Sequence, residues 1–226
     1  MLIIIDKRIP QEAKDKLSSI GEIFELETKG IVYPAISGHP DIFIFKFENK
    51  LIIAPECPVD LIEKLLELKI SFKIGDKKLG IKHPHTTPYN VSYNDGVFIG
   101  DKALCDKNIL KLSQGHKWIQ TKQAYARCNN IILTNNAVIS NDKSISTKID
   151  KSLIVNPKEI LLEGFEYGFI GGCMGIYNNS VFILGSLKYH SQGEAIRSFC
   201  ESNSYSIIEL YDGNLFDGGG IFFIEP

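Results

Sequence analysis

The chain has 226 residues, 44% of them hydrophobic and 23% charged, with a formal net charge of −2. That length can bury a substantial core as one domain or two. The near-neutral balance, with a pI near 6.2, carries no electrostatic footprint for nucleic acid or an anionic membrane.

No apolar run approaches the roughly 20 residues needed to span a bilayer. The opening Met1-Leu2-Ile3-Ile4-Ile5-Asp6 has neither a basic lead nor a small-residue cleavage site, so no signal peptide is expected. The five cysteines (Cys57, Cys105, Cys128, Cys173, Cys200) are scattered and show no C-x-x-C spacing. They read as reduced thiols of a cytoplasmic protein, not as a disulfide frame or a zinc site.

In chain order, Met1–Asp6 reads as a strand. Pro10 suits the first turn of a helix whose apolar stripe is Ala13, Leu17 and Ile20, with Gly21 beyond its end. Glu22–Glu27 is a short strand, and Lys29–Pro40 a loop. Asp41–Phe45 and Leu51–Ala54 make a hairpin. Pro58 opens a helix to about Leu68 with Val59, Ile62, Leu65 and Leu66 on one face, and Ile70–Ile74 follows as a strand.

The cycle then recurs. Asn90–Tyr93 and Val97–Ile99 flank Asn94-Asp95-Gly96, a type I′ hairpin signal. A helix at Asp106–Leu112 and a strand at Lys117–Thr121 come next. The third pass has strands Asn130–Leu133 and Ala137–Ser140, a helix near Asp142–Ile149 and a strand at Leu153–Val155. The fourth has Tyr167–Ile176 and Val181–Leu184, then a helix opened by the capping box Ser191-Gln192-Gly193-Glu194 that buries Ala195, Ile196 and Phe199. Ser206–Leu210 ends it.

Each pass is strand, turn, strand, helix, strand. The second strands align at Ile52, Phe98, Val138 and Phe182, at intervals of 46, 40 and 44 residues. The tail Asp217-Gly218-Gly219-Gly220-Ile221-Phe222-Phe223-Ile224 ends where a hairpin turn would follow, and Leu2–Ile5 reads as its partner strand. Pairing the two ends yields a fifth unit and one domain, with approximate units 41–88, 89–126, 127–166, 167–215 and 216–226 plus 1–40. A helix in every unit argues against an ordinary four-stranded propeller, and a hairpin in every unit argues against a helical solenoid. The expected fold class is α/β, a five-bladed α/β-propeller of ββαβ units.

That arrangement resembles the pentein superfamily, the α/β-propellers of guanidine-modifying enzymes, and a bacterial branch of it. His39-Pro40-Asp41-Ile42-Phe43-Ile44 resembles its first-repeat motif, and Gly218-Gly219-Gly220-Ile221 its last-repeat glycine run. The resemblance implies a cysteine thiolate attacking a guanidinium carbon, a histidine protonating the leaving amine, and carboxylates holding the guanidinium. It places the cysteine just after the final glycines, where this chain has Ile221-Phe222-Phe223. The histidine belongs on the first strand of the fourth repeat, at Phe169-Ile170-Gly171-Gly172. The first-repeat carboxylate belongs after Phe43-Ile44, at Phe45-Lys46. All three groups are missing, so orthodox deiminase or amidinotransferase chemistry is not expected.

Other residues offer chemistry. Cys128 lies at a strand mouth beside Arg127, and is either an activated thiol or a small buried one. Cys173, among Gly171, Gly172 and Gly175, marks either ligand approach or close strand packing. His39 and Asp41, two apart in a strand, form an acid/base pair on one side or serve the turn around Pro40. Asn90, Arg127, Asn129 and Asp217 are ligand-binding candidates, with strand-end capping and turn formation as their structural alternatives. His83 and His85 lack a third ligand and read as exposed loop residues, so no metal and no cofactor is expected.

Two functions follow. One is a remodelled pentein centre binding a small polar ligand or a protein partner. The other is an off-pattern cysteine hydrolase or transferase acting on a guanidino- or amide-containing small molecule. The discriminator is geometric: a catalytic cysteine needs a base within reach, in a pocket.

Overall fold

The computed structural model describes residues 1–226. Its fold is mixed α/β, built from five three-stranded sheets of one topology and a two-stranded pair, Ile160–Leu161 with Leu215–Phe216. In each three-stranded sheet the central strand pairs antiparallel with one neighbour and parallel with the other. Ile44–Phe47, Lys50–Ile53 and Ser71–Ile74 form one such sheet. Ser92–Asn94, Val97–Gly100 and Lys117–Gln120 form the next. Asn130–Thr134, Ala137–Ser140 and Lys151–Ile154 follow, then Met174–Tyr177, Ser180–Ile183 and Ser206–Glu209. A helix precedes each parallel strand, because a parallel return needs a crossover.

The remaining sheet joins the chain's ends. Leu2–Asp6 pairs antiparallel with Phe222–Ile224, register Leu2 to Ile224 and Ile3 to Phe223, and parallel with Glu22–Leu26. Every residue of Leu2–Asp6 is buried. Leu2 and Ile4 enter one apolar cluster with Ile44 and Phe222, while Ile3 and Ile5 enter another with Phe182 and Phe223. A central strand covered on both faces reads as an unbroken apolar run, as here.

Side-chain and backbone bonds tie adjacent units at their first strands and at the turns that lead into them. Lys46 Nζ donates to Phe223 O at 2.5 Å and Asn90 Nδ2 to Asp41 O at 3.1 Å. Asn94 Nδ2 reaches Ile132 O at 2.9 Å, Arg127 Nη1 reaches Gly171 O at 2.7 Å, and Ile221 N reaches Met174 O at 3.3 Å.

The main departures from the expected elements lie at the strand mouths. Asp41–Phe45 is not a strand. Pro40–Phe43 is a helical turn and the strand is Ile44–Phe47. Proline at the first helical position has its φ preset and no N–H to leave unpaired. His39 and Asp41 therefore do not share a strand face. Tyr167–Ile176 likewise shortens to Met174–Tyr177, preceded by a 3₁₀ turn at Gly171–Cys173. Ala126–Asn129 is a third such turn.

The Ser191–Glu194 capping box does not form. The helix is Gly193–Ser202 with no side-chain cap, because Ser191 N and Oγ are both taken by the Glu159 carboxylate. Ala195 is exposed while Ile196 and Cys200 are buried. In Val59–Glu67 the buried residues are Leu61 and Leu65. Val59 and Leu66 are 69% and 63% exposed, so the inward face is rotated from the expected one.

Candidate functional site

Three of the strand mouths and the glycine turn before Phe222–Ile224 bring polar side chains together. His39 sits in extended backbone just before Pro40 and is 1% exposed. Its Nε2 lies 3.9 Å from Asp6 Oδ2 and its Nδ1 3.8 Å from Asp217 Oδ1. Neither ring nitrogen has a hydrogen-bond partner. Asp6, at the end of the central N-terminal strand, is engaged by Arg8 Nε at 2.9 Å and Nη2 at 2.6 Å. Asp217 accepts from Phe169 N at 2.8 Å and Gly219 N at 3.0 Å.

Asp41 is wholly buried. Its Oδ2 accepts the Cys128 thiol at 2.7 Å, and its Oδ1 has no partner. Asn90 clamps the pair. It donates to Asp41 O at 3.1 Å and Cys128 Sγ at 3.2 Å. Its Oδ1 accepts from Arg127 N at 2.8 Å and Cys128 N at 3.2 Å. Asn90 therefore acts on the site by positioning it.

Two glycines are required by this geometry. Gly219 has φ +69°, in the left-handed region, and an added Cβ would collide with the Cβ of His39. An added Cβ on Gly172 would overlap the Asp217 carboxylate. These two glycines bring backbone against the His39 side chain and the Asp217 carboxylate.

Burial dominates the electrostatics. It pushes the Asp41 carboxyl up to about 6, with His39 opposing and Asp217 adding to the rise. Asp217 is raised for the same reason. The Cys128 thiol is pushed well up by burial and then by the Asp41 and Asp217 charges. In the free protein this thiol is therefore protonated at neutral pH and donates to Asp41.

Donor atoms of His39, Asp41 and Cys128 all lie within 4.8 Å of one another. Cysteine, histidine and carboxylate form a donor set that suits zinc. The 2.7 Å separation of Cys128 Sγ and Asp41 Oδ2 is nonetheless that of a hydrogen bond, shorter than two donors spread around an ion would be.

The cluster opens into a cavity of about 350 Å³ lined by His39, Cys128 and Asp217 below and by Tyr33, Tyr125, Phe165 and Phe169 at the sides. Tyr125 Oη is 3.1 Å from Tyr33 Oη and also bonds Thr86 Oγ1, which fixes the aromatic wall. A larger cavity of about 540 Å³ shares no lining residue with it and contains Lys46, Arg127 and Ile221–Phe223. The positions where the pentein resemblance places a carboxylate and a cysteine thus face the larger cavity, while the polar cluster faces the smaller.

Of the residues singled out in the sequence, His39, Asp41, Cys128 and Asp217 converge, with Asn90 behind them. Cys173 does not join them: it is packed in an apolar cluster with Ile170 and Met174, its thiol donating to Phe169 O at 3.3 Å. Asn129 also lies apart, its carbonyl accepting from Asn141 N at 3.0 Å. Arg127 turns toward the larger cavity. His83 and His85 are exposed, and His83 packs on Tyr125 with ring centroids 5.8 Å apart.

Sequence reasoning missed Asp6 and the aromatic wall. The only signal for Asp6 was a carboxylate closing an otherwise apolar strand. The wall residues come from loops whose spacing carries no period.

Solved structures with the same fold have diverged far in sequence. DDAH from Pseudomonas aeruginosa, a mutant complexed with citrulline, superposes with a TM-score of 0.53 at 9% identity, over 92% of this chain and 91% of that one. An amidinotransferase of saxitoxin biosynthesis from Microseira wollei gives 0.51 at 9% identity, over 92% and 87%. Agmatine deiminase from C. jejuni gives 0.50 at 15%, over 92% and 75%. The fold is that of the pentein superfamily. No functionally curated protein matches the chain by sequence. Residues 4–222 match the model of a family described only as a family of unknown function, DUF6873, and the chain belongs to that family.

Proposed function

We propose that the five ββαβ units form one closed, five-bladed ring, a single domain. In this reading the chamber beneath the aromatic wall binds a small cationic nitrogen compound of the guanidino or amidino class. The observation that carries it is a set of buried, unpartnered polar atoms: both nitrogens of His39, which lines the chamber, and Asp41 Oδ1, bonded through its other oxygen to the lining residue Cys128. Such atoms are costly to bury unsatisfied. A planar cation with several N–H donors satisfies Asp41 Oδ1 and draws on the Asp217 charge, while Tyr and Phe rings accept its face. The guanidine compounds of the pentein enzymes agree with that ligand class as an analogy of fold.

Calorimetric titration with methylguanidine and with agmatine, against uncharged methylurea, tests the proposal. Saturable binding of the cations, weakened about tenfold or more by Asp41→Asn, is the expected result. Equal binding of methylurea, or undiminished binding by the folded variant, refutes it.

A second reading, covalent chemistry at Cys128, is favoured by the thiol–carboxylate contact. Asp41, poised near 6, is a fit general base for that proton. A bound cation beside Asp41 and Asp217 would lower the Cys128 thiol. The thiolate would then attack the amidino carbon, with His39 supplying the proton to the departing amine and water releasing the thioester-like intermediate. Mass spectrometry of the protein trapped with substrate, looking for an adduct on Cys128, separates turnover from binding.

A further inference from the structure

The larger cavity belongs to no part of that reading, and its less exposed charges are cations, with acids only at its exposed edge. Two cations reach it, Lys46 from the strand Ile44–Phe47 and Arg127 from the turn Ala126–Asn129. Both bond backbone carbonyls. Lys46 Nζ donates to Phe223 O at 2.5 Å, and Arg127 donates to Gly171 O at 2.7 Å and Met174 O at 3.0 Å. An ammonium has three donors and a guanidinium five, so each retains spare N–H groups. Asn130 faces the same cavity fully buried. Its Nδ2 donates to Ala126 O at 2.6 Å and its Oδ1 has no partner.

The acids nearby leave this charge in place. Glu48 and Asp95 are exposed at the rim, and Asp95 Oδ2 accepts from Asn135 N at 2.7 Å. Asp217, which lines the other cavity, and the buried Asp41 act on Arg127 from outside this one. Burial holds the Lys46 ammonium below its ordinary value, Glu225 opposing and Arg127 adding to the fall. Two like charges in a part-buried space are mutually unfavourable, and an anion between them relieves both. The rest of the wall mixes polar Asn49, Ser92 and Asn94 with apolar side chains, and Ile176 and Phe222 are among the apolar part.

We propose that this second chamber binds a small carboxylic acid bearing a hydroxyl beside the carboxylate and an apolar body. The carboxylate lies on Lys46 and Arg127, the hydroxyl donates to Asn130 Oδ1, and the body runs along Ile176 and Phe222. A monoanion fits better than a phosphate, because the rim acids repel a second negative charge and Arg127 has already committed two donors.

Calorimetry at constant ionic strength with 3-phenyllactate, its neutral amide and inorganic phosphate tests this. The acid is expected to bind saturably and the amide about tenfold more weakly or worse. Lys46→Met should lose about tenfold as well, and Lys46→Arg should retain binding. A readout on the unaltered protein is acetylation of Lys46 by acetic anhydride, mapped by mass spectrometry, which bound phenyllactate should suppress. Absence of saturable binding, equal binding of acid and amide, or unprotected Lys46 overturns the proposal. Tighter binding of phosphate than of phenyllactate overturns the carboxylate assignment. Methylguanidine should not displace the acid, so the two chambers are tested separately.

Discussion

Asp41→Asn should make the protein more stable at neutral pH while weakening its cation site. The carboxyl is wholly buried and its folded value is about 6 against an ordinary 3.8. Between those values the native state binds more protons than the unfolded chain, so stability falls as pH rises from 3.8 to about 6 and stays low above. That gap corresponds to about 3 kcal/mol, the cost of ionising Asp41 in place. Asparagine keeps an acceptor for the Cys128 thiol and carries no charge. At pH 8 the variant should gain up to about 3 kcal/mol, a rise of roughly 6–12 °C in Tm for a chain of this size. Below pH 4 the difference should vanish, since both chains are then neutral at this position. Urea unfolding of both proteins at five pH values from 4 to 8 checks it. A variant that is less stable at pH 8, or whose advantage does not change with pH, shows that the Asp41 charge is compensated and the reasoning wrong. Stability gained at the cost of binding is the ordinary trade at a functional site.

Three further outcomes are expected. Phe223→Asp should cost ~3 kcal/mol or more by urea titration, because the Phe223 ring is buried against Tyr177 and Phe182 in an apolar cluster and a carboxylate there loses that packing and its hydration. Removing Met1–Asp6 takes out the central strand between Phe222–Ile224 and Glu22–Leu26. A soluble truncated chain with a cooperative thermal transition would contradict its structural role. Iodoacetamide should label Cys128 slowly at pH 7, since burial and the Asp41 and Asp217 charges hold the thiol up. Saturating methylguanidine under the same conditions should lower the thiol's pKa; a Cys128 pH–reactivity profile that does not move argues against a cation in that chamber.

The strand–turn–strand–helix–strand pattern was legible because local chemistry carries it. Alternating or continuous apolar runs, Asn-containing turns such as Asn94-Asp95-Gly96 and helix stripes repeat every 40–46 residues, and each acts over a few bonds. The pairing of Leu2–Ile5 with the C-terminal strand was legible for a similar reason: an unbroken apolar run needs cover on both faces, and the glycine run left a strand without a partner. The helical turns at Pro40–Phe43 and Gly171–Cys173 were not, since a short apolar run does not distinguish a strand from a single helical turn. The inward face of Val59–Glu67 and the fate of Ser191 were decided by neighbours distant in sequence, as Glu159 shows.

The site divides along the same line. His39, Asp41, Cys128 and Asp217 could be named from residue type and from their place at strand mouths. That Cys128 and not Cys173 meets them is a matter of a few ångströms between units 87 residues apart for the Asp41 contact. Asp6, the tyrosine wall, and the division into one chamber beside buried acids and another with half-buried cations also come only from tertiary structure. Side-chain type is a property of the chain, whereas proximity and burial, which set the charge on Asp41 and Cys128, belong to the folded molecule.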